Sequence, residues 1–141
     1  MSNSIHPKFR QYNLKGEGEE HAGPLARSIK GWGREDWLLN NEKLCFKVLT
    51  LLKDHRCSLH FHIKKEELFF IAKGSLMFVW TEVATGAEHS LELFTGDSVH
   101  IPPGLPHQFA GTSEEPCVFV ECSTQHFEDD SYRVRGGDSQ K

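Results

Sequence analysis

The chain has 141 residues, a length that suits one domain, and hydrophobic residues make up 38% of it. Acidic residues outnumber basic ones by 20 to 16, and the net charge of -4 argues against a nucleic-acid-binding protein. The longest apolar runs have five residues, too few to span a bilayer, and the N-terminus lacks the apolar stretch of a secretory signal. We therefore expect a cytoplasmic protein that does not enter a membrane.

The predicted elements begin with a segment that has no clean periodicity. Residues 1–30 contain several glycines, a proline and scattered charges, which predicts an irregular N-terminal arm. From residue 36 onward, apolar stretches of strand length alternate with turn signals. The predicted strands span residues 43–52, 57–63, 67–72, 75–83, 90–94, 98–101, 108–110 and 117–121. This spacing favours an antiparallel sandwich or barrel.

The boundaries of the domain follow from this pattern. The predicted barrel covers residues 31–127, and a polar C-terminal tail follows at residues 128–141. His126 stands beside acidic residues and is interpreted as part of a solvated acidic segment. The cysteines have no C-x-x-C spacing and are expected to be buried reduced thiols; they are Cys45, Cys57, Cys117 and Cys122.

Two histidines flank Phe61 in an alternating segment. Alternate residues of a strand share a face, so His60 and His62 project in the same direction and can hold a metal ion together. The alternative interpretation is a pair of histidines on a solvated face.

A carboxylate and a third histidine follow. If Glu67 shares a face with Phe69 and Ile71, its carboxylate points into an apolar interior and needs a cation or a hydrogen-bonded partner. The alternative for Glu67 is a solvated turn residue beside the preceding lysines. The rigid turn at residues 102–106 sets the direction in which His107 enters the next strand. Three imidazoles and one carboxylate suit a borderline divalent ion such as Zn, Fe, Mn, Co, Ni or Cu.

At two motifs the chain resembles the cupin superfamily. The first motif, G(X)5HXH(X)3-4E(X)6G, is matched by His60, His62, Glu67 and Gly74. The second motif, G(X)5PXG(X)2H(X)3N, is matched by Gly96, Pro102, Gly104 and His107. Two positions depart from the motifs, since Asp54 replaces the opening glycine and Gly111 replaces the closing asparagine.

This resemblance implies a fold and a metal site. The implied fold is all-β, a cupin jelly-roll barrel of antiparallel strands with the irregular arm before it. The implied ligands of one divalent transition metal ion (Zn, Fe, Mn or Ni) are His60, His62, Glu67 and His107. Neither departure from the motifs is a ligand position in the family, and the resemblance further implies a homodimer.

A narrower resemblance points to carbohydrates. Residues 30–37, 58–62 and 121–133 are similar to the cupin domain of bacterial mannose-6-phosphate isomerases, although Gly31 replaces a proline there. This similarity implies a small-molecule ligand of the sugar or sugar-phosphate class. Candidates for stacking on a sugar ring, with core packing as the alternative, are Trp32, Trp37 and Trp80.

Three functional hypotheses remain open. The first is a metal-dependent sugar isomerase or epimerase in which Glu67 is the catalytic base. The second is a non-catalytic cupin that binds a small ligand or serves as an accessory protein. The third is a non-haem iron dioxygenase, and the metal's identity would separate it from the others.

Overall fold

The computed structural model describes residues 10–13, 19–22 and 26–141. Within these ranges the chain forms β-strands and a short 3-10 turn at Asp138–Gln140. The strands are β1 (Arg10–Asn13), β2 (Glu19–Ala22), β3 (Ala26–Lys30), β4 (Gly33–Asn40), β5 (Cys45–Leu51), β6 (Leu59–Phe61), β7 (Glu67–Lys73), β8 (Ser75–Thr81), β9 (Glu88–Phe94), β10 (Ser98–Ile101), β11 (His107–Gly111), β12 (Cys117–Ser123) and β13 (Tyr132–Arg135). None of the described residues belongs to a helix long and apolar enough to cross a bilayer.

Two antiparallel sheets form the walls of the barrel. The six-stranded sheet has the order β10-β7-β12-β5-β4-β3, the five-stranded sheet has the order β13-β6-β11-β8-β9, and β1 pairs with β2. Strand β7 shows the alternation that the sequence predicts, because Phe69 and Ile71 are buried whereas Leu68 and Phe70 are exposed. The predicted all-β jelly-roll fold is confirmed.

Aromatic rings fill the space between the sheets. Phe109 packs edge-to-face on Phe119, with 4.8 Å between ring centroids, and on Phe69, with 5.7 Å. Trp32 packs on Phe109 in the same way at 5.7 Å. These rings are nearly fully buried, so the removal of their apolar surface from water stabilises the contact between the two sheets.

The two departures from the cupin motifs meet at one turn. Asp54 has a φ of 62°, in the left-handed region that favours glycine, and its N–H donates to the carbonyl of Gly111 at 3.0 Å. A Cβ on Gly111 would lie 2.2 Å from the carbonyl oxygen of Leu52. Gly111 is therefore required for the close approach of the two backbones, whereas Asp54 adopts the left-handed conformation without being a glycine.

The end of the predicted irregular arm is an ordered strand. In β3, Ala26 pairs with Trp37 and Lys30 pairs with Gly33. β3 is an edge strand with much of its surface exposed, so it carries no apolar alternation that sequence reading could detect. Apart from β1, β2 and β3, the predicted arm lies outside the described residues.

The predicted polar tail also requires correction, because the barrel continues through it. Tyr132 of β13 pairs with Phe61 of β6, and the backbone N–H of Arg56 donates to Asp138 Oδ2 at 2.8 Å. A Cβ on Gly137 would lie 2.3 Å from the carbonyl carbon of Cys57, so the backbones touch there. The residues of β13 are exposed, and an exposed edge strand leaves no hydrophobic period in the sequence.

Candidate metal centre

Three histidines converge between the sheets. His60 lies on β6, His62 follows this strand directly, and His107 opens β11 as the cross-strand partner of His60. The metal-binding atoms of the three side chains lie within 4.8 Å of one another. The backbone N–H of Gly104 donates to the carbonyl of His62 at 2.6 Å and ties the turn before β11 to the end of β6.

Hydrogen bonds to backbone carbonyls define the tautomer of each imidazole. In all three side chains, Nδ1 lies at hydrogen-bond distance from a carbonyl oxygen, which can only accept. The acceptors are Ser58 for His60 at 2.9 Å, Asp130 for His62 at 2.7 Å and Leu105 for His107 at 2.9 Å. Each ring therefore carries its proton on Nδ1 and keeps the lone pair of Nε2 for a metal ion.

The carboxylate of Glu67 faces the same point. Its Oε1 lies 3.2 Å from Nε2 of His107 and 3.4 Å from Nε2 of His62. In the tautomers described above these nitrogens are acceptors, and both Glu67 Oε1 and His107 Nε2 are buried without a hydrogen-bond partner. Unsatisfied buried acceptors are costly, and a cation between them would satisfy both. The residues present therefore fit a divalent transition metal ion.

The protonation states of these groups favour metal binding. Burial lowers the pKa of His60 to about 3, with help from His107 and His62, and burial also lowers the pKa of His62. For Glu67, burial and the nearby Glu121 raise the pKa, but opposing contributions that include the positive charge of Lys65 outweigh them and hold it below its usual value. Neutral imidazoles and an ionised carboxylate are the forms that bind a metal.

A buried ammonium group supports the carboxylate from behind. Lys65 Nζ lies 2.7 Å from Glu121 Oε2, 3.1 Å from His126 Nδ1 and 3.6 Å from Glu67 Oε2. Although burial disfavours a charged lysine, Glu121 and Glu67 raise its pKa above the usual range. Sequence reading missed Lys65 because a lysine in a charged turn is ordinarily solvated.

A second buried lysine, Lys47, lies beside the Lys65–Glu121 ion pair. Glu121 of β12 is the cross-strand partner of Lys47 of β5, and Lys47 Nζ also lies 3.9 Å from Glu35 Oε1. Burial raises the pKa of Glu121, but Lys47 and Lys65 outweigh it and lower the value to about 2. Neither strand sequence marks these residues as buried charges, since single charged residues in strands usually face water.

Asp130 organises the turn after His62. Its carboxylate oxygens accept hydrogen bonds from the backbone N–H groups of residues 63, 64 and 65 at 2.9–3.2 Å, while its carbonyl accepts from His62. Asp130 is 2% exposed, so the prediction of a solvated acidic segment is wrong for this residue, whereas Glu128 and Asp129 are exposed as predicted. The interpretation fails because tertiary pairing brings residue 130 against residue 62, a contact that local sequence does not encode.

The histidine cluster opens into a cavity of about 500 Å³. Trp32, Trp37 and Glu35 line it together with the Lys65 group, and His126 lines it too, against the sequence interpretation. The Trp37 ring packs edge-to-face on His126 with 5.0 Å between centroids. The size is ordinary for a small-molecule site.

The other residues considered in the sequence analysis do not belong to the histidine cluster. Trp80 does not line the cavity and stacks on Phe78 and His89. Gln108 donates to the carbonyl of Cys57 at 2.8 Å. Cys45, Cys57 and Cys117 are buried as predicted, but Cys122 is exposed because it occupies the outward-facing position of β12.

Comparison with known proteins supports the fold and the motifs. The family described as "Cupin domain" matches residues 47–123, which include the histidines and Glu67. No curated protein matches the chain at a significant level.

Solved structures resemble the chain in fold. The capsular polysaccharide assembling protein CapF from Staphylococcus aureus superposes with a TM-score of 0.72 at 17% identity, over 79% of this chain and 32% of that chain. Oxalate decarboxylase from Bacillus subtilis at pH 4.6 gives 0.69 at 20% identity, over 77% and 30%. Another structure of that enzyme, which concerns its Mn(II) centres, gives 0.68 at 19% identity, over 77% and 30%. The chain spans about a third of the length of these proteins.

Proposed function

The chain belongs to the cupin family, and from that premise we propose that it is a metal-dependent isomerase or epimerase of a sugar or sugar phosphate. One observation carries the proposal: three Nε2 lone pairs and the unpartnered Oε1 of Glu67 converge at the base of a cavity with a polar and aromatic lining. A divalent ion held by these residues would polarise a carbonyl oxygen as a Lewis acid.

The lining of the cavity supports a polyhydroxylated ligand. Trp32 and Trp37 line the cavity with aromatic surface, of which Trp32 is 4% exposed and the Trp37 ring carries Lys47 Nζ 3.7 Å from its centroid. Glu35 and Ser58 offer polar groups that can bind hydroxyls. The structural neighbour CapF is described as a capsular polysaccharide assembling protein, which agrees with a ligand from carbohydrate chemistry.

Two residues of the chain can handle protons during isomerisation. Glu67 is ionised at neutral pH, and its Oε1 can accept the proton next to a carbonyl once a ligand displaces it from the histidines. His126 accepts a hydrogen bond from Lys65 at Nδ1, so the neutral ring carries its proton on Nε2. This atom lies 3.5 Å from Glu128 Oε1 and can donate to a ligand oxygen that takes the place of that carboxylate. Lys65 holds Glu67 Oε2 and orients the carboxylate.

Solvent deuterium exchange tests the proposal. Metal-loaded protein is incubated in D2O with aldoses, ketoses and their phosphates, and the carbon-bound deuterium next to the carbonyl is measured by NMR. Exchange that disappears in Glu67→Gln but persists in Glu66→Gln would support the isomerase, because Glu66 is exposed and its side chain pairs with His100.

Other outcomes would replace the proposal. Ligand binding without exchange would support a non-catalytic cupin, whereas bound iron with ligand-dependent oxygen uptake would support a dioxygenase. The cytoplasmic location stays a prediction.

The exposed face of the six-stranded sheet supports the proposed homodimer. Leu68 is 42% exposed and Phe70 is 45% exposed, and both neighbour β12 residues that face the same side, Val120 and Cys122. Phe70→Glu should shift a dimer to a monomer in light scattering, and an unchanged mass would argue against this interface.

A further inference from the structure

We infer that Arg133 and Lys30 form an oxyanion-binding subsite in the cavity, which takes the phosphate ester or carboxylate group of the ligand whose other oxygens meet the histidine cluster. The inference rests on one part of the proposed function, namely that a metal ion binds at the histidine cluster. It narrows the ligand class from a polar small molecule to an anionic one.

The register of β13 directs Arg133 into the cavity. Arg133 is the cross-strand partner of His60, and directly paired residues of antiparallel strands project to the same face of the sheet. The preceding residue, Tyr132, projects to the opposite face and stacks on Phe61 with 5.2 Å between ring centroids. Arg133 is exposed and lines the cavity beside the histidines, where a diffusing ligand can reach it.

Lys30 reaches the same cavity from the other sheet. It ends β3, the edge strand of the six-stranded sheet, and β13 is the edge strand of the five-stranded sheet. The turn after β3 contacts the segment after β13, because the backbone N–H of Gly31 donates to Ser139 Oγ at 3.0 Å. Ser139 itself lines the cavity and adds a hydroxyl to the two cations.

The charge balance of the cavity distinguishes these two cations from the others. Lys47 lies 3.9 Å from Glu35, and Lys65 lies 2.7 Å from Glu121. Within the part of the chain that the structure describes, Lys30 and Arg133 form no ion pair. The described residues that line the cavity include four cationic side chains and four carboxylates, the latter being Glu35, Glu67, Glu121 and Glu128. Their charges cancel, so a bound divalent ion would leave two surplus positive charges. An anion would balance them, and the guanidinium fork matches phosphate or carboxylate oxygens.

Calorimetric titration of the metal-loaded protein tests the subsite. The titrants are fructose 6-phosphate, fructose, inorganic phosphate and malonate. We expect at least one anion to bind about 10-fold or more tightly than fructose, and its affinity to fall as salt is raised. Tighter binding of fructose 6-phosphate than of malonate would identify the anionic group as a phosphate ester, and the reverse order would identify it as a carboxylate. Anions that bind no more tightly than fructose would overturn the inference.

Substitutions locate the effect. Arg133→Gln and Lys30→Gln should each remove most of the preference for the anion, and Arg133→Lys should retain part of it because the charge stays but the fork is lost. Arg135→Gln is the matched control on the same strand, since Arg135 pairs with Glu88 and does not line the cavity. Metal content and the melting temperature confirm that each variant is folded. Arg133→Gln and Lys30→Gln variants that are folded and retain the full preference would contradict the subsite.

The two proposals fail in different ways. Anion binding that depends on Arg133, without deuterium exchange into any sugar, leaves the subsite standing and removes the isomerase. Exchange into a sugar phosphate with a rate and affinity unaffected by Arg133→Gln and Lys30→Gln leaves the isomerase standing and removes the subsite.

Discussion

His60 and His107 face each other across one antiparallel strand pair, β6 with β11. Their ring centroids are 4.7 Å apart, and each Nδ1 is held by a carbonyl of its own chain segment two residues earlier. The two Nε2 atoms are therefore oriented before any metal binds, which lowers the ordering cost of binding.

Removing two of the three imidazoles should abolish metal binding. We expect tag-free wild-type protein to carry about one ion per chain after reloading, and His60→Ala/His62→Ala to carry almost none, because a single imidazole and a carboxylate do not complete the site. Elemental analysis measures the content. His100→Ala is the control, since His100 is exposed and its side chain contacts Glu66 instead. Equal metal in the double variant would disprove the ligand assignment.

Neutralising Lys65 should destabilise the barrel and weaken the metal site. Lys65→Met leaves Glu121 and Glu67 as buried like charges and should cost about 3–5 kcal/mol in denaturant unfolding. The neighbouring exposed residue gives the control, and Lys64→Met should change the free energy of unfolding by only about 0.5 kcal/mol or less. Lys65→Met/Glu121→Gln should recover part of the loss. A loss no larger than that of Lys64→Met would show that the pair is not buried in solution.

Removing the Asp130 carboxylate should loosen the turn after His62. Asp130→Ala leaves the backbone N–H groups of residues 63–65 without their acceptor and should lower the free energy of unfolding by about 1–3 kcal/mol. Metal affinity should fall as well, because the carbonyl of the same residue orients His62. Asp129→Ala, at an exposed position, should leave both quantities unchanged in unfolding and metal-competition assays. If both variants behave alike, Asp130 does not organise the turn.

The metal-free protein should lose stability as the pH falls below 6.5. Burial lowers the pKa of His60 to about 3, and burial with Lys47 lowers the pKa of His126 to about 3, whereas unfolded histidines titrate near 6.5. The unfolded chain therefore takes up protons first, so the stabilisation is complete above pH 6.5 and is lost progressively toward pH 3. Thermal melts between pH 8 and pH 4 measure this loss. His126→Gln should make the dependence shallower, and a wild-type melting temperature independent of pH would refute the assignment.

Crowding Gly137 should reveal how the C-terminal segment is anchored. A side chain there collides with the backbone at Cys57, so Gly137→Ala should lower the free energy of unfolding by about 1–3 kcal/mol. At Gly136, a Cβ meets only the side chain of Gln140 at 3.3 Å, so Gly136→Ala should cost less. Chemical denaturation compares the two, and equal stabilities would indicate that the segment is not docked.

The sequence by itself predicted the fold class, and its resemblance to the cupin motifs supplied the proposed ligand set. Strand-length apolar stretches with regular turn signals indicated antiparallel sheets, because side chains of a strand alternate between two faces. The match to the cupin motifs implied His60, His62, Glu67 and His107 as metal ligands, and local strand geometry directs only the first pair to one side. Edge strands β3 and β13 escaped detection because their exposed surfaces need no apolar period.

Only the tertiary structure decided what surrounds the four predicted ligands. Lys65, Glu121 and His126 meet because β12 and the segment after it return to the turn following β6, many residues away in sequence. A charged residue in a turn or strand has the same local pattern whether it is solvated or paired in the interior. Its burial depends on a partner supplied by a distant segment, and that pairing exists only once the sheets have closed.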